Sequence, residues 1–120
     1  HKATIDNEEV FKIWGTGEPK REFMHVDDLA SAIDYIIENK VVEPLINIGS
    51  NEEITIKELA LLLKEIIGFR GDIKFDKNMP DGNPRKLLDS TMIRNSGWVP
   101  QIDLNSGLKQ TYKWYLGNKD

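Results

Sequence analysis

Residues 14–28 are Trp-Gly-Thr-Gly-Glu-Pro-Lys-Arg-Glu-Phe-Met-His-Val-Asp-Asp, and this stretch decides how the chain folds. Its first part, Gly15–Pro19, combines two glycines with a proline, a composition that is typical of a turn. The residues before it, Val10–Trp14, are mostly β-branched or aromatic and predict a short strand. A turn placed directly after a strand can hold side chains out towards a ligand.

The second part of the same stretch predicts a strand followed by a helix. Arg21–Val26 is expected to form the strand. Asp27 or Asp28 is expected to cap the helix, because a short side-chain oxygen can accept an orphan backbone N–H. The helix should end near Asn39. Its apolar residues recur at helical spacing on one face, namely Leu29, Ile33, Ile36 and Ile37.

The clearest helix in the chain begins at a capping box. Thr55 is followed three residues later by Glu58, the spacing at which the two side chains satisfy each other's backbone N–H groups. Gly68 fits the left-handed position that commonly ends a helix. The apolar stripe between them consists of Leu59, Leu62, Leu63, Ile66 and Ile67. Before this box, Leu45–Ile48 is too short for a helix and predicts a buried strand.

The last third of the chain adds one strand and two helices. Asp72–Asp76 alternates polar and apolar residues, as a half-buried strand does, and Asn78–Lys86 is a loop with two prolines. Ser90 and Asp103 are each expected to cap a helix, and Gly107 in the second helix would permit a close helix contact. Together the elements predict one α/β domain, with a small mixed sheet and about four helices.

Composition excludes several classes of protein. A chain of 120 residues is enough for one small domain. The formal net charge of −4 argues against a general nucleic-acid binder, which needs a basic surface. The sequence has no cysteine, which excludes thiolate metal sites and fits a reducing, cytoplasmic location. No apolar run approaches the ~20 residues that span a bilayer, so we expect neither a nucleic acid nor a membrane as a partner.

Few residues are suited to catalysis. His1 and His25 lack the spacing of a metal site, and His25 is expected to pack where the helix begins. The turn Gly15–Gly17 does not match the Gly-x-Gly-x-x-Gly fingerprint of dinucleotide sites. Tyr115 and Lys119 have the Tyr-x-x-x-Lys spacing of short-chain dehydrogenases, but no cofactor-binding strand precedes them. We therefore assign no catalytic and no metal-binding residue to this chain.

Residues suited to binding lie in and around the two loops. Arg21 follows the first turn, and its planar fork matches a diphosphate. Arg85 and Lys86 follow the second loop and can reach the same anion. Trp14 can stack on a base or a sugar, and Asp81 can accept hydrogen bonds from ribose hydroxyls or a guanine edge. The two loops form a candidate clamp for a nucleotide sugar.

Each of these residues also has a structural interpretation. Trp14 at the end of a strand can belong to the core, and Asp81 before a glycine can be a turn residue. Arg21 and Lys86 can be solvated surface groups. The residues alone predict a small α/β domain that binds an anionic ligand.

Three segments resemble the extended short-chain dehydrogenase/reductase family, whose members act on nucleotide sugars. They are residues 14–30, Ile-Asn-Ile-Gly at 46–49 and Ile-Thr-Ile-Lys-Glu-Leu-Ala at 54–60. The motif Arg-Glu-Phe-x-His-Val-Asp-Asp in the first segment is shared among epimerases, dehydratases and reductases. This motif therefore identifies the superfamily and not the substrate.

A fourth segment is more discriminating. Residues 80–89, Pro-Asp-Gly-Asn-Pro-Arg-Lys-Leu-Leu-Asp, resemble the GDP-L-fucose synthases, as do Gly97-Trp98 and Thr-Tyr-Lys-Trp at 111–114. By that resemblance, substrate-binding positions for a GDP-sugar fall on Trp14, Arg21, Asp81 and Lys86. The chain departs from the usual pattern at Met79, Asn83 and Ser50-Asn51, which leaves the sugar open.

The resemblance implies a longer, NADPH-dependent parent enzyme that epimerises and reduces GDP-4-keto-6-deoxy-mannose and is a homodimer. Its cofactor fingerprint, catalytic Ser and Tyr-x-x-x-Lys would lie upstream of His1. We therefore expect residues 1–120 to be a C-terminal nucleotide-sugar-binding portion without the N-terminal Rossmann domain. Such a portion would bind no cofactor and be inactive alone, and Leu45–Ile48 would lack its partner sheet.

Two other functions stay open on the sequence. One is another extended NAD(P)-dependent epimerase, dehydratase or reductase that acts on a different nucleotide sugar. The other is a ligand-binding or interaction module without catalysis.

Overall fold

A computed structural model of the chain describes residues 1–119. The five strands are β1 (Val10–Trp14), β2 (Lys20–Glu22), β3 (Glu53–Thr55), β4 (Asp72–Asp76) and β5 (Arg85–Lys86). The five helices are α1 (Lys2–Ile5), α2 (Val26–Glu38), α3 (Ile56–Ile67), α4 (Thr91–Ser96) and α5 (Leu104–Asn118). The α/β class is confirmed, with five helices among the described residues where about four were expected. No helix within the described residues is long and apolar enough to cross a membrane.

The strands form two small sheets where the sequence predicted one. β1 pairs with β4 in parallel, from Val10 opposite Asp72 to Trp14 opposite Asp76. The second sheet has the order β3-β2-β5, antiparallel on one side of β2 and parallel on the other. The turn at 15–19 separates β1 from β2, so that consecutive strands enter different sheets.

The second strand and the start of α2 differ from the prediction. β2 is Lys20–Glu22, shorter than the predicted Arg21–Val26. His25, in extended conformation, is the N-cap of α2, and its Nδ1 accepts a hydrogen bond from the Asp27 N–H at 3.3 Å. Neither Asp27 nor Asp28 is the cap, because both lie inside the first helical turn. His25 packs at the helix entry, as predicted.

Asp28 joins α2 to the segment that leads into α5. Its side chain is buried, with 2% of the residue exposed. Its two carboxylate oxygens accept hydrogen bonds from the backbone N–H groups of Gln101 (2.9 Å) and Ile102 (3.0 Å). The carboxylate therefore satisfies two backbone donors that are distant in sequence.

The predicted caps of α3 and α5 are present, whereas the predicted cap of α4 is an exception. The capping box of α3 and its left-handed C-cap at Gly68 are present as predicted, and Asp103 caps α5 by accepting from the Ser106 N–H at 2.9 Å. The exception is Ser90, which lies at the N-cap of α4 without capping it. Its hydroxyl is buried without a partner in the described chain, and Asp89 accepts from the Thr91 N–H instead.

The main core is small and lies between α2 and α4. Its buried residues are Ala32, Ile93 and Trp98, and the partly buried residues around it are Met24, Tyr35, Ile36, Ile46 and Ile48. The predicted apolar stripe lies on one face of α2, but much of it is not buried within the described chain, because Leu29, Ile33 and Ile37 are 40–67% exposed. α2 meets the core through the side that carries Ala32 and Ile36, and the neighbouring face stays open to solvent.

The predicted strand at Leu45–Ile48 is also wrong in this chain. The segment is irregular, because no strand among residues 1–119 lies beside it to form a ladder. Ile46 and Ile48 still pack against the core. Gly107 is buried where α5 approaches His25, and an added Cβ would lie 3.2 Å from His25 Cδ2, so its predicted role in a close contact is confirmed.

Replacing Asp28 should destabilise the chain. Asp28→Ala leaves two backbone N–H groups without an acceptor, and we expect the free energy of unfolding to fall by about 3 kcal/mol. Asp28→Asn, which keeps one acceptor oxygen, should lose about half as much. Urea denaturation followed by the fluorescence of the buried Trp98 measures both. Asp27→Ala is the matched control, since that side chain is 71% exposed, and an equal loss there would contradict the prediction.

Candidate functional site

The candidate site is built on the turn loop, defined as residues 15–19, which follows β1. Gly15 and Gly17 both have φ of +81°, the left-handed region that glycine adopts without strain. Both are buried. A Cβ at Gly15 would clash with the Asp81 carboxylate, and one at Gly17 would lie 2.5 Å from the Phe75 ring. The glycines are therefore required for a close approach as well as for the turn itself.

The turn loop is anchored on both sides by backbone hydrogen bonds. The Gly15 N–H donates to the carbonyl of Asp76 at the end of β4 (2.9 Å). At the start of α3, the N–H groups of Ile56 and Lys57 donate to carbonyl groups of Pro19 (3.0 Å) and Gly17 (2.9 Å). The loop is thus fixed between β4 and α3.

Asp81 lies on the second loop, the proline loop, defined as residues 77–84 between β4 and β5. One carboxylate oxygen accepts from the Thr16 N–H at 2.8 Å and the other from the Thr16 hydroxyl at 2.7 Å. The hydrogen bond from the Thr16 hydroxyl, followed by that from the Thr16 N–H, lowers the pKa of Asp81 from its ordinary value. The side chain is therefore ionised near neutral pH and bridges the two loops.

Arg21 ties the proline loop to β2. Its Nη1 donates to the carbonyl oxygen of Asn83 at 2.7 Å and to that of Lys20 at 2.6 Å. Gly82 lies against the same guanidinium, since a Cβ there would be 2.9 Å from Nη2. Lys86, which is exposed, lies beside Arg21 in the parallel β2–β5 pair. Two cations therefore occupy neighbouring strands at the loop edge.

Trp14 ends β1 immediately before the turn loop. The residue is 69% exposed, so it does not belong to the core. Its large aromatic surface is open to solvent beside the turn to which Asp81 is bonded. An exposed ring next to a rigid turn is available for stacking on a flat ligand group.

Arg85 has a different role from the one the sequence suggested. Its Nε and Nη2 donate to the two carboxylate oxygens of Glu53, each at 2.7 Å, across the middle strand of the second sheet. This paired arrangement lowers the pKa of Glu53 and raises that of Arg85. Arg85 is thus engaged within the sheet.

The sequence interpretation missed three polar residues around the site. Thr16 and Glu53 hold Asp81 and Arg85, as described above. Glu22 accepts hydrogen bonds from the backbone N–H groups of Asn51 (2.5 Å) and Leu88 (3.3 Å). Their partners are distant in sequence, and no motif within the chain points to these pairings.

The structure links three of the four residues predicted to bind substrate, through the proline loop (Asp81) and the β2–β5 pair (Arg21 and Lys86). The fourth, Trp14, ends β1 directly before the turn loop to which Asp81 is bonded. Asp81 is bonded within the chain, Arg21 is partly engaged, and Trp14 and Lys86 are exposed. Their role towards a ligand stays a prediction at this point.

The turn loop does not fit the phosphates of a dinucleotide, and the described residues form no metal-binding group. The Thr16 N–H, which a phosphate would need, is already bonded to Asp81, and the turn loop leads into a strand instead of a helix. Within residues 1–119, no group of three or more His, Cys, Asp or Glu side chains could hold a metal. Lys119, the lysine of the Tyr-x-x-x-Lys spacing, has its Nζ 2.9 Å from His1 Nε2. This contact within the chain accounts for the position of the lysine.

Comparison with known proteins agrees with this architecture. The profile of the NAD dependent epimerase/dehydratase family matches residues 2–49. The chain is 48% identical to the probable GDP-L-fucose synthase 1 of Oryza sativa over 118 residues, which are 98% of this chain and 36% of that protein. It is 42% identical to the GDP-L-fucose synthase of Escherichia coli, covering 100% of this chain and 40% of that protein.

Solved structures give the same result. A GDP-mannoheptose C4 reductase from Campylobacter jejuni, solved with NADP bound, superimposes with a TM-score of 0.78 and 37% identity, over 91% of this chain and 35% of that one. The chain thus spans little more than a third of the length of these relatives. Sequence and fold agree over nearly all of its residues, and the chain therefore belongs to the NAD dependent epimerase/dehydratase family.

Proposed function

We propose that this chain is the nucleotide-sugar-binding portion of an epimerase/reductase of the GDP-L-fucose synthase type. The observation that carries the proposal is the joining of the turn loop to the proline loop by Asp81, beside the exposed Trp14, while Arg21 ties the proline loop to β2. Two loops fixed to each other present an aromatic ring, a carboxylate and two cations at one edge of the fold. That combination matches the parts of a nucleoside diphosphate sugar.

The anionic part of the ligand is assigned to Arg21 and Lys86. Nη1 of Arg21 is engaged by two carbonyl groups, whereas Nε and Nη2 have no hydrogen-bond acceptor among residues 1–119. These two N–H-bearing nitrogens can bind a diphosphate with paired hydrogen bonds. Lys86 on the adjacent strand adds a second positive charge.

The nucleoside part is assigned to Trp14 and Asp81. The Trp14 ring can stack on the base or the sugar. Each oxygen of the Asp81 carboxylate accepts one hydrogen bond from Thr16 and retains acceptor capacity for a ribose hydroxyl or a guanine N–H. Holding the nucleotide in one orientation would fix the position of the attached sugar, and such positioning contributes to rate as well as affinity.

The reaction itself is assigned to segments outside these residues. The relatives have about three times the length of this chain, and we infer that a Rossmann domain there would hold NADPH, which supplies the hydride when bound. The substrate would be GDP-4-keto-6-deoxy-mannose. The homodimer implied for the parent stays a prediction.

A second candidate substrate is a different GDP-sugar, such as a GDP-heptose. The likeness to the Campylobacter jejuni GDP-mannoheptose reductase, at 37% identity, favours this alternative. The nucleoside and the diphosphate to which these residues are assigned are common to both substrates, so the assignment serves either one. A ligand-binding or interaction module without catalysis is the alternative from another class, and such a module need not bind a nucleotide.

Nucleotide preference tests the proposal. Isothermal titration calorimetry of the chain with GDP, UDP and ADP should give the tightest binding for GDP, because Asp81 can accept from the guanine edge. If GDP binds no better than UDP, the assignment to GDP-sugars fails. If none of the three binds, the alternative without nucleotide binding is favoured.

Arg21 should contribute to diphosphate binding. Arg21→Ala removes the paired donors, and we expect the affinity for GDP to fall by roughly tenfold or more. The matched control is Arg70→Ala, which removes an exposed arginine from the loop after α3 and should leave GDP affinity unchanged. Thermal unfolding of both variants separates lost binding from lost structure. If Arg21→Ala is folded and its affinity for GDP is unchanged, Arg21 is a solvated surface residue and does not bind the diphosphate.

The chain alone should have no reductase activity. When it is incubated with NADPH and GDP-4-keto-6-deoxy-mannose, we expect the NADPH absorbance to stay constant, because the turn loop does not fit a dinucleotide and the reaction is assigned to segments outside these residues. The full-length Escherichia coli relative is the positive control for the assay. Oxidation of NADPH above the rate without protein would contradict this prediction.

A further inference from the structure

Thr16 is the point at which the two loops of the site are joined. It is half-buried at the centre of the turn loop, between two buried glycines. Its N–H and its hydroxyl both donate to the Asp81 carboxylate, at 2.8 and 2.7 Å, across 65 residues of sequence. Neither the composition of the turn nor its glycines requires a hydroxyl at this position.

The direction of the Thr16 hydroxyl is set by a second contact. Its oxygen accepts a hydrogen bond from the Glu18 N–H at 3.2 Å. A hydroxyl has one proton to donate, and that proton is directed to Asp81. The turn loop, held by β4 and α3, thus fixes the donor before any ligand arrives.

We propose that Thr16 is a positioning residue for nucleotide binding, which holds the Asp81 carboxylate in the orientation from which it accepts from the ligand. The inference rests on the proposed function, because Asp81 must contact the nucleotide for its orientation to matter. Asp81 itself is exposed on a loop, and an exposed carboxylate without a partner samples several rotamers. Fixing one rotamer in advance removes that entropy cost from binding.

Two variants separate the contribution of the Thr16 hydroxyl from that of the side-chain shape. Thr16→Val keeps the β-branched shape and the backbone N–H but removes the hydroxyl, whereas Thr16→Ser keeps the hydroxyl. The matched control is Thr111→Val, on the exposed side of α5. Thermal unfolding confirms that each variant is folded.

The first measurement is independent of nucleotide. Carbon-detected NMR titration of the Asp81 carboxyl should show a pKa below the ordinary value in wild type and in Thr16→Ser, and a higher pKa in Thr16→Val. The other charged groups on the two loops are Glu18 and Lys77, and those on the adjoining ends of β4, β2 and α3 are Asp76, Lys20, Arg21 and Lys57. All of them remain in every variant, so the change reports the hydroxyl.

The second measurement is GDP affinity by calorimetry. We expect Thr16→Val to weaken GDP binding by about tenfold, and Thr16→Ser and Thr111→Val to stay within about twofold of wild type. If Asp81 accepts from the guanine edge, Thr16→Val should also reduce the preference for GDP over ADP, whereas a bond to a ribose hydroxyl would weaken GDP and ADP alike.

The outcomes distinguish this inference from the proposed function. If wild type binds GDP and the Asp81 pKa responds to Thr16→Val, but GDP affinity does not, the role of Thr16 in binding is overturned and the proposed function stands. An Asp81 pKa that is equal in Thr16→Val and wild type shows that the hydroxyl does not hold the carboxylate, and also overturns the inference. If wild type binds no nucleotide, the proposed function fails and this inference fails with it.

Discussion

The close approach of two loops depends on the absence of a side chain at Gly15. The Asp81 carboxylate occupies the space in which a Cβ would stand, and only from there can it reach both donors of Thr16. The left-handed backbone at Gly15 and Gly17 turns the chain from one small sheet into the other. A single local constraint therefore sets both the division into two sheets and the geometry of the candidate site.

The site gains rigidity from backbone hydrogen bonds and not from a large core. The turn loop is bonded to β4 and to the start of α3, and the N–H of Lys20 donates to the carbonyl of Pro84 at 2.9 Å. These bonds position the loops although few residues nearby are fully buried. Rigid loops suit binding because little conformational freedom is lost when the ligand arrives.

The main core explains how the rest of the chain supports this edge. Ala32, Ile93 and Trp98 pack α2 against α4, and the indole N–H of Trp98 donates to the Ser31 hydroxyl at 3.1 Å. Asp28 then fastens α2 to the segment before α5 through two backbone N–H groups. A few polar contacts between distant segments thus provide stability that a larger apolar core would otherwise provide.

Interactions between residues close along the chain were sufficient to predict much of this structure. The strand Val10–Trp14, the capping box at Thr55, the left-handed Gly68 and the cap at Asp103 were all predictable, because each depends on residues within one or two turns of chain. The motif in residues 80–89 was also sufficient to identify the kind of relative. Each of these signals lies in a short run of sequence.

The tertiary structure decided what depends on partners distant along the chain. In the folded chain the N-cap of α2 is His25 and not an aspartate. Asp28 is instead a buried acceptor for the backbone N–H groups of Gln101 and Ile102. The fold also left Leu45–Ile48 irregular without a neighbouring strand. By itself, the sequence determined the four longer helices, the strands β1 and β4 and the family, because these depend on hydrogen bonding and periodicity among residues that are close along the chain. The pairings of Asp81 with Thr16 and of Arg85 with Glu53 were decided only by the fold, because 65 and 32 residues separate the partners.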